Sequence, residues 1–454
     1  MYIEYSLAFI VLAGAVIGGY LLARLPLIRR LYIPTSLMAG AILLFLGPQI
    51  AGVYFPQFQI PTINYDFWAT LPKHMIVLVF AGLFLGKPLL SPRRMWKLAG
   101  PQVAFGQTVA WGQYVIAGLV TLFVLIPLFG MPSFSASLLE ISFEGGHGTV
   151  AGMTQVFNDL DFETGRQIAT GLATASLVSA LIIGIILINW GQRRGHLKQG
   201  SVVRVARNKV YYHVIMAELR SKGMSFRKVV TFRSLIAHII LLLLGVLFGW
   251  LMHQGLLLLE SMFWGQQGVK LFSYVPLFTF AIFGGMIAQF IWTRLGFKIV
   301  REVVELIAMF TLTILIVTAV GTMSLEFLVD DGLVFAILYL TGVVWLLFAF
   351  FFLARRIFRR YWFQNAIISF GQGMGMTATG LLFGQIVDPK NKTNAVEGFG
   401  YKQLMFEPLM GGGLVTALSM PTILLIGLPT FIVICAIVMA FWLFVGLIII
   451  GRKR

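Results

Sequence analysis

The sequence predicts an all-α polytopic membrane protein: an inverted five-plus-five transmembrane helix repeat with two re-entrant hairpins and one extra C-terminal span. The first observation is that 59% of the 454 residues are hydrophobic and only 11% are charged, whereas a soluble domain is roughly half apolar and a quarter charged. The second is a near-repeat, Ile-Ser-Phe-x-x-Gly-x-Gly, which begins at Ile141 and again at Ile368, half a chain apart. The third is that lysine and arginine are concentrated in alternate loops.

A transmembrane helix needs about 20 mostly apolar residues. Apolar segments of about this length recur along the whole chain. We predict spans at 5–25, 32–52, 74–92, 98–128, 164–190, 234–258, 274–291, 302–322, 333–354, 403–425 and 429–450. The last span falls outside the repeat. The predicted domains are therefore repeats at 1–190 and 234–425, a basic cytoplasmic linker at 191–233 and an added span within 426–454.

Loop charge predicts the orientation, because short loops rich in lysine and arginine stay in the cytoplasm. The segment 191–233 contains eleven lysine or arginine residues and one acid, Glu218. Other basic segments lie at 24–30, 87–97, 294–301, 355–360 and 452–454, while 53–72, 129–162 and 323–332 contain no lysine or arginine. This alternation places the N-terminus outside and the C-terminus inside. It also explains the net charge of +17 better than nucleic-acid binding does.

Two glycine-rich segments, 133–157 and 362–385, lie between spans and are too polar and broken for ordinary membrane helices. Irregular backbone at membrane depth survives only where it is buried or lines a cavity. Matched breaks in the two halves of a membrane protein indicate a transporter's binding site. We therefore predict re-entrant hairpins that enter from opposite faces, with main-chain N–H groups for a carboxylate and C=O and hydroxyl groups for a small cation. The alternative is close helix packing by small residues.

Several side chains near these segments have more than one interpretation. His147 is a substrate ligand, a proton carrier or a structural residue, since imidazole titrates near neutral pH. Glu144 either coordinates a cation or lies at the aqueous mouth, and Glu407 is expected at the cytoplasmic interface. No metalloprotease, hydrolase or P-loop motif is present, so an enzyme is not expected. The single cysteine, Cys435, excludes a disulfide framework and a cysteine-based metal site.

The motifs resemble those of the bacterial sodium/glutamate symporter family. The residues that carry the resemblance are Gly145-Gly146-His147-Gly148-Thr149, then Gly371-x-Gly373-x-Gly375-x-Thr377-x-Thr379, and Ile33-Pro34 with Ala39-Gly40. It covers residues 5–425 and implies a homodimer with scaffold and mobile transport domains, which imports glutamate with sodium by an elevator-like movement. Glu144 stands where the family has a small polar residue, and Ala378 where it typically has proline.

The motifs and the resemblance together predict symport of glutamate or a related small carboxylate with Na⁺ across the bacterial plasma membrane. The expected partners are that anionic solute, Na⁺ as coupling ion and membrane lipid, with no cofactor, transition metal or nucleic acid. The predicted substrate-binding residues are Gly145, Gly146, His147, Gly148, Thr149, Gly371, Gln372, Gly373, Gly375, Thr377 and Thr379. The predicted sodium-binding residues are Ser142, Glu144, Asn365 and Ser369. The alternatives are a proton-coupled carrier of another organic anion, in which His147 or Glu144 titrates, and a channel or non-transporting sensor.

Overall fold

The computed structural model describes residues 2–25, 34–86, 92–197, 230–263, 272, 275–325, 327–388 and 392–451. It is 83% helix, and no strand occurs in these ranges, which confirms the all-α class. The α-helices are α1 (Tyr2–Leu22), α2 (Thr35–Phe45), α3 (Ala51–Tyr54), α4 (Thr62–Ala81), α5 (Pro92–Val120), α6 (Ile126–Phe129), α7 (Leu138–Phe143), α8 (Gly146–Gly152), α9 (Thr154–Asp159), α10 (Glu163–Arg193), α11 (Phe232–Phe263), α12 (Leu277–Arg294), α13 (Arg301–Gly321), α14 (Phe327–Asp330), α15 (Gly332–Phe348), α16 (Ala354–Ile357), α17 (Trp362–Val387), α18 (Ala395–Phe406), α19 (Leu414–Ile426) and α20 (Leu428–Phe444). Short 3₁₀ segments lie at Pro56–Phe58 and Ser133–Ser137, and π-helical segments at Thr121–Leu125, Ala349–Leu353 and Val445–Ile450.

Seven helical segments in the described ranges are long and apolar enough to cross a membrane: Met95–Phe129, Glu163–Arg193, Phe232–Phe263, Leu277–Arg294, Arg301–Gly321, Gly332–Ile357 and Leu428–Ile450. Each coincides with a predicted span, so the prediction of a multi-pass membrane protein is confirmed. Shorter apolar helices, Ala8–Leu22, Thr35–Phe45 and Leu414–Ile426, occupy three further predicted spans. Most of the predicted basic linker 191–233 lies outside the described residues.

The predicted span 74–92 is placed differently in the structure. Helix α4 begins at Thr62, directly after Pro61, and ends at Ala81 before Gly82. Proline without an amide hydrogen is well suited to a position just before or at a helix start. The first turns of α4 contain polar residues, so a prediction based on apolar residues does not include them. The predicted boundaries, 74 and 92, were therefore wrong.

The chain forms two compact units, and each unit takes helices from both halves of the sequence. Unit 1 comprises the described residues within Met1–Leu89, Ala151–Asp161 and Ala206–Ser324, and unit 2 those within Leu90–Val150, Phe162–Val205 and Leu325–Arg454. In unit 1, α1, α2, α4 and α13 bury one apolar cluster that includes Leu43, Trp68 and Val317. The hydroxyl of Tyr65 donates a hydrogen bond to the Leu43 carbonyl in this cluster.

Helices α11 and α12 of unit 1 pack through glycine. A Cβ on Gly249 would lie 2.8 Å from the Cα of Ala281, and one on Gly284 would collide with the carbonyl oxygen of Gly245. Small residues four positions apart let membrane helices approach closely, because lipid offers no hydrophobic driving force for their association. The contact therefore depends on the absence of side chains at these positions.

Replacing Gly249 by valine is expected to destabilise unit 1, because the new side chain would push α11 away from the backbone of α12. Overpacking of this kind costs about 1–3 kcal/mol. A lower midpoint of thermal unfolding in detergent would reveal the loss. Gly255→Val on the same helix is the matched control, since a Cβ there meets nothing within 4 Å. Equal midpoints for the two variants would show that the glycine contact does not stabilise the protein.

Candidate substrate and ion site

The first glycine-rich segment contains a helix break in unit 2. Helix α7 ends at Phe143 and α8 begins at Gly146. The N–H groups of Glu144 and Gly145 both donate to the Glu140 carbonyl, at 3.1 and 3.2 Å. Gly146 has φ +67°, in the left-handed region that glycine enters at no steric cost. The motif therefore needs glycine at this position for backbone geometry.

The second glycine-rich segment also contains a break, but further along the motif. Helix α17 consists of two helical arms, which are interrupted at Gly375 (φ −153°, ψ 29°) and Met376 (φ 64°, ψ 170°). The conformation of Met376 belongs to a region that is essentially restricted to glycine and costs about 1–3 kcal/mol. The sequence repeat aligns the first break with Gly371 and Gly373, yet both of these remain in the first arm of α17. Strain of this kind is typical of functional sites.

The two breaks lie side by side. A Cβ on Gly146 would lie 3.8 Å from the Cβ of Met376, and a Cβ on Gly373 would lie 3.3 Å from Oε1 of Glu144. The structure therefore brings the glycines of the two motifs together, as a shared binding site requires. Glycine lets the two backbones come this close.

The predicted substrate-binding side chains point in several directions. His147 is buried, and its Nε2 lies 2.8 Å from the hydroxyl of Thr174 on α10. That hydroxyl donates its own hydrogen to the Thr170 carbonyl, so the imidazole nitrogen must act as the donor. Thr149 donates to the carbonyls of Gly145 and, at 3.4 Å, Gly411. These bonds orient the residues around the first break.

In the second motif, two side chains have partners outside the segment and one does not. Gln372 accepts a hydrogen bond from Lys402, and Thr377 donates to Oε1 of Glu407 at 2.7 Å. Thr379 instead donates back to the carbonyl of Gly375, at the break. The second break is thus connected to α18 and to the bend that follows it.

The four predicted sodium-binding residues do not belong to one hydrogen-bond network. Ser142 donates to the Leu138 carbonyl of its own helix at 2.6 Å. Ser369 and Asn365 both contact Gln102 on α5, at 2.9 and 2.7 Å. Glu144 is separate from that network, buried, and its Oε2 has no hydrogen-bond partner.

Sequence reasoning missed Glu140, which fastens the first break to the bend after α18. Its Oε1 accepts from the N–H of Gly411 at 2.9 Å and from the hydroxyl of Thr416 at 3.0 Å. Its Oε2 accepts from the hydroxyl of Tyr114 at 2.6 Å. Both carboxylate oxygens are therefore bonded, which suits an ionised carboxylate in a buried position. In the sequence, Glu140 is a single acid among apolar residues, and nothing in that pattern indicates which residues it contacts.

Lys402 on α18 was also missed, because it borders the predicted span 403–425 and resembles an interfacial flank. It is fully buried, and its ammonium donates to Gln372 and lies 3.5 Å from the ring centre of Phe406. Gly106 on α5 makes room for it, since a Cβ there would lie 2.5 Å from Cε of Lys402. Lysine is almost never fully buried unless it is paired. Its burial indicates a role in this site.

Buried charge therefore concentrates around the breaks. The Lys402 ammonium interacts electrostatically with the carboxylates of Glu144 and Glu407. Glu407, which we expected at the cytoplasmic interface, is only 8% exposed. Ionisable groups at membrane depth are costly and usually functional. Among the described residues, no group of histidine, cysteine and acidic side chains could hold a transition metal.

Apolar spans, adjacent breaks in two helices and buried charge beside them are typical of a membrane transport protein. Residues 2–387 match the family described as "Sodium/glutamate symporter". The chain therefore belongs to the sodium/glutamate symporter family, and the resemblance predicted from its motifs is confirmed. No curated protein matches the chain. The matched range ends before Lys402 and Glu407, so these two residues lie outside it.

Proposed function

We propose that the protein imports glutamate or a related small carboxylate together with Na⁺. The family match over residues 2–387 carries this proposal. The adjacent breaks at Gly146 and Met376 support it, because half-helix ends in transporters bind anionic groups with N–H groups and cations with carbonyl oxygens.

The substrate carboxylate would bind main-chain N–H groups at the two helix starts beside the breaks, at Gly146–Gly148 and at the second arm of α17, which begins at Thr377. The N–H of Gly145 already donates to the Glu140 carbonyl, and Gly371 and Gly373 lie within the first arm of α17. The hydroxyls of Thr149 and Thr379 and the side chain of His147 would complete the shell, and the Thr377 hydroxyl would contact the substrate or Na⁺. The approach of Gly373 to Glu144 supports a common site, since a Cβ at Gly373 would lie only 3.3 Å from Oε1 of Glu144.

The architecture we propose is an inverted repeat of 1–190 and 234–425, with re-entrant hairpins at 133–157 and 362–385. The alternation of basic loops supports opposite orientation of the halves, with the N-terminus outside and the C-terminus cytoplasmic in the bacterial plasma membrane. The division into two units, each built from both halves, supports a scaffold and a transport domain that move as an elevator within a homodimer.

Uptake by proteoliposomes tests the function directly. An inward Na⁺ gradient is expected to drive accumulation of labelled glutamate or another small carboxylate, whereas choline in place of Na⁺ is expected to abolish it. A panel of amino and dicarboxylic acids identifies the solute. Accumulation that ignores the Na⁺ gradient would contradict sodium coupling, and flux that only equilibrates the solute would indicate a channel.

A proton-coupled carrier of another organic anion is the second candidate. Glu144 favours it, because a buried carboxylate oxygen without a hydrogen-bond donor is a natural place for a proton. The same proteoliposomes decide between the two: an inward proton gradient alone, without Na⁺, would then drive accumulation.

A further inference from the structure

Three polar side chains of unit 2 meet beside the second break. The Thr377 hydroxyl donates to Oε1 of Glu407 at 2.7 Å, and Nε2 of Gln403 donates to both, at 2.6 and 2.7 Å. Thr377 begins the second arm of α17, Gln403 lies on α18, and Glu407 directly follows α18. The cluster therefore joins three pieces of backbone around one small volume.

Two oxygens of this cluster remain unused. Glu407 Oε2 and Gln403 Oε1 have no hydrogen-bond partner, although the two residues are only 8% and 3% exposed. Buried polar atoms are nearly always bonded, and each one left without a partner is costly. Both unused atoms are acceptors, so they require either a donor or a cation. Carboxylate, amide and hydroxyl oxygens together are the ligands that small hard cations prefer.

Because the amide of Gln403 can turn, the same three residues can be stable both without a cation and with one bound among them. Its oxygen and nitrogen exchange places when the terminal torsion turns by half a rotation. In the present orientation, N–H groups hold Glu407 and Thr377. After the turn, an amide oxygen, a hydroxyl oxygen and a carboxylate oxygen would face one another, an arrangement that repels unless a cation lies among them.

The surrounding charge fits a monovalent cation. The carboxylates of Glu140, Glu144 and Glu407 are buried in this part of unit 2, and Lys402 is the one buried lysine among the residues that the structure describes. That ammonium donates to Gln372 and so does not take the place of an ion among the three side chains. Glu407 is the one carboxylate of the cluster, which suits an ion of a single charge.

We propose that Thr377, Gln403 and Glu407 form the binding site of the coupling sodium ion. This inference rests on the proposed sodium-coupled transport and names where the ion binds. Thr377 follows Met376, so an ion held here fixes the second break relative to α18. That break lies against Gly146, and ion binding thereby orders the place where the substrate carboxylate would bind.

Sodium titrations of purified protein test the site without transport. Thermal unfolding in detergent is followed while NaCl replaces choline chloride at constant ionic strength, and sodium-dependent uptake is measured in proteoliposomes. Glu407→Gln and Thr377→Val are expected to raise the half-saturating Na⁺ concentration about tenfold or more, as the loss of metal-site residues typically does. Glu397→Gln, which changes an exposed acid on α18, is expected to leave this concentration unchanged.

The possible outcomes distinguish an error in the proposed sodium site from an error in the proposed sodium-coupled transport. If wild-type uptake requires Na⁺ and both variants keep the wild-type half-saturation, sodium binds elsewhere and the site is overturned while sodium coupling stands. If the wild type shows neither sodium-dependent stabilisation nor sodium-dependent uptake, both are overturned. If Glu407→Gln changes only the pH profile of uptake, the cluster takes a proton instead of sodium. Thr377→Val keeps the buried charge, so it remains informative should Glu407→Gln fail to fold.

Discussion

A Gly146→Val variant is expected to reach the membrane in normal amount and to lose uptake. The side chain itself has space, since the nearest atoms to a Cβ are those of Met376, at 3.8 and 3.9 Å. The backbone is the obstacle, because φ at this position is +67° and a left-handed conformation costs about 1–2 kcal/mol for an ordinary residue. Valine, which is β-branched, tolerates it least. The break would relax to another geometry and displace the main-chain groups of the proposed site.

Uptake of the labelled solute by proteoliposomes measures the effect, and we expect a fall of about a hundredfold or more, as small displacements of positioned groups produce. Gly195→Val is the matched control. Gly195 also has positive φ, +74°, and open space around its Cβ, but it lies after α10 in an exposed turn. Backbone strain is then similar in both variants. Equal uptake by both would show that the geometry of the first break is not needed for transport.

Gly373→Val is the companion substitution in the second motif. Its side chain would meet Leu346 at 3.0 Å and Oε1 of Glu144 at 3.3 Å, so it acts by contact and not by strain. Uptake should fall here too, while the amount of protein stays normal. Unchanged uptake in both Gly146→Val and Gly373→Val would remove the two glycine-rich segments from the mechanism.

The helices themselves followed from the sequence because lipid enforces a simple rule. Long apolar segments must be helical where no water can bond the backbone, and seven predicted spans appear as long apolar helices. The rule does not determine the residues at which each helix begins and ends. Helix α4 starts at Thr62 among polar residues, and 403–425 is interrupted by Gly411–Gly413 before α19 begins at Leu414. Proline and glycine decide such boundaries through backbone geometry that hydropathy does not measure.

The helix breaks were predicted because glycine and backbone chemistry determine them, whereas the side-chain partners that the tertiary structure supplies were missed. Glycine runs indicate breaks, and the breaks at Gly146 and Met376 lie together. Their exact positions differ between the motifs, since the repeat conserves residue types and not the neighbours that pack on them. The partners of Glu140 and Lys402 come from residues distant in the sequence, such as Tyr114 and Gln372. A single sequence carries no signal for such pairings.

The burial of three carboxylates beside one ammonium has a thermodynamic consequence that single substitutions can expose. Removing one partner of a directly paired buried charge costs about 3–5 kcal/mol, because the remaining charge is left uncompensated, and a buried charge that acts from further away costs less. The Lys402 ammonium donates to Gln372 and attracts the carboxylates of Glu144 and Glu407 electrostatically. Stability, and not only transport, should therefore depend on it.

Lys402→Met is expected to lower the midpoint of thermal unfolding in detergent strongly. Methionine keeps an unbranched apolar stem of similar reach, so the packing against Gly106 is largely retained and the lost charge dominates. Lys392→Met, at an exposed position just before α18, is the matched control and should unfold like the wild type. If Lys402→Met also unfolds like the wild type, the carboxylates around it do not depend on its charge.

The double variant Lys402→Met/Glu144→Gln identifies the partner. If the ammonium compensates Glu144, neutralising both should recover part of the loss, with an interaction energy of about 0.5–3 kcal/mol between the two sites. The same cycle with Glu407→Gln measures the other carboxylate, which the proposed sodium ion would also compensate. Coupling to Glu407 should therefore be larger in choline chloride than in NaCl, whereas coupling to Glu144 should change less. Coupling to Glu407 that is insensitive to the salt would mean that no sodium ion shares this carboxylate with Lys402.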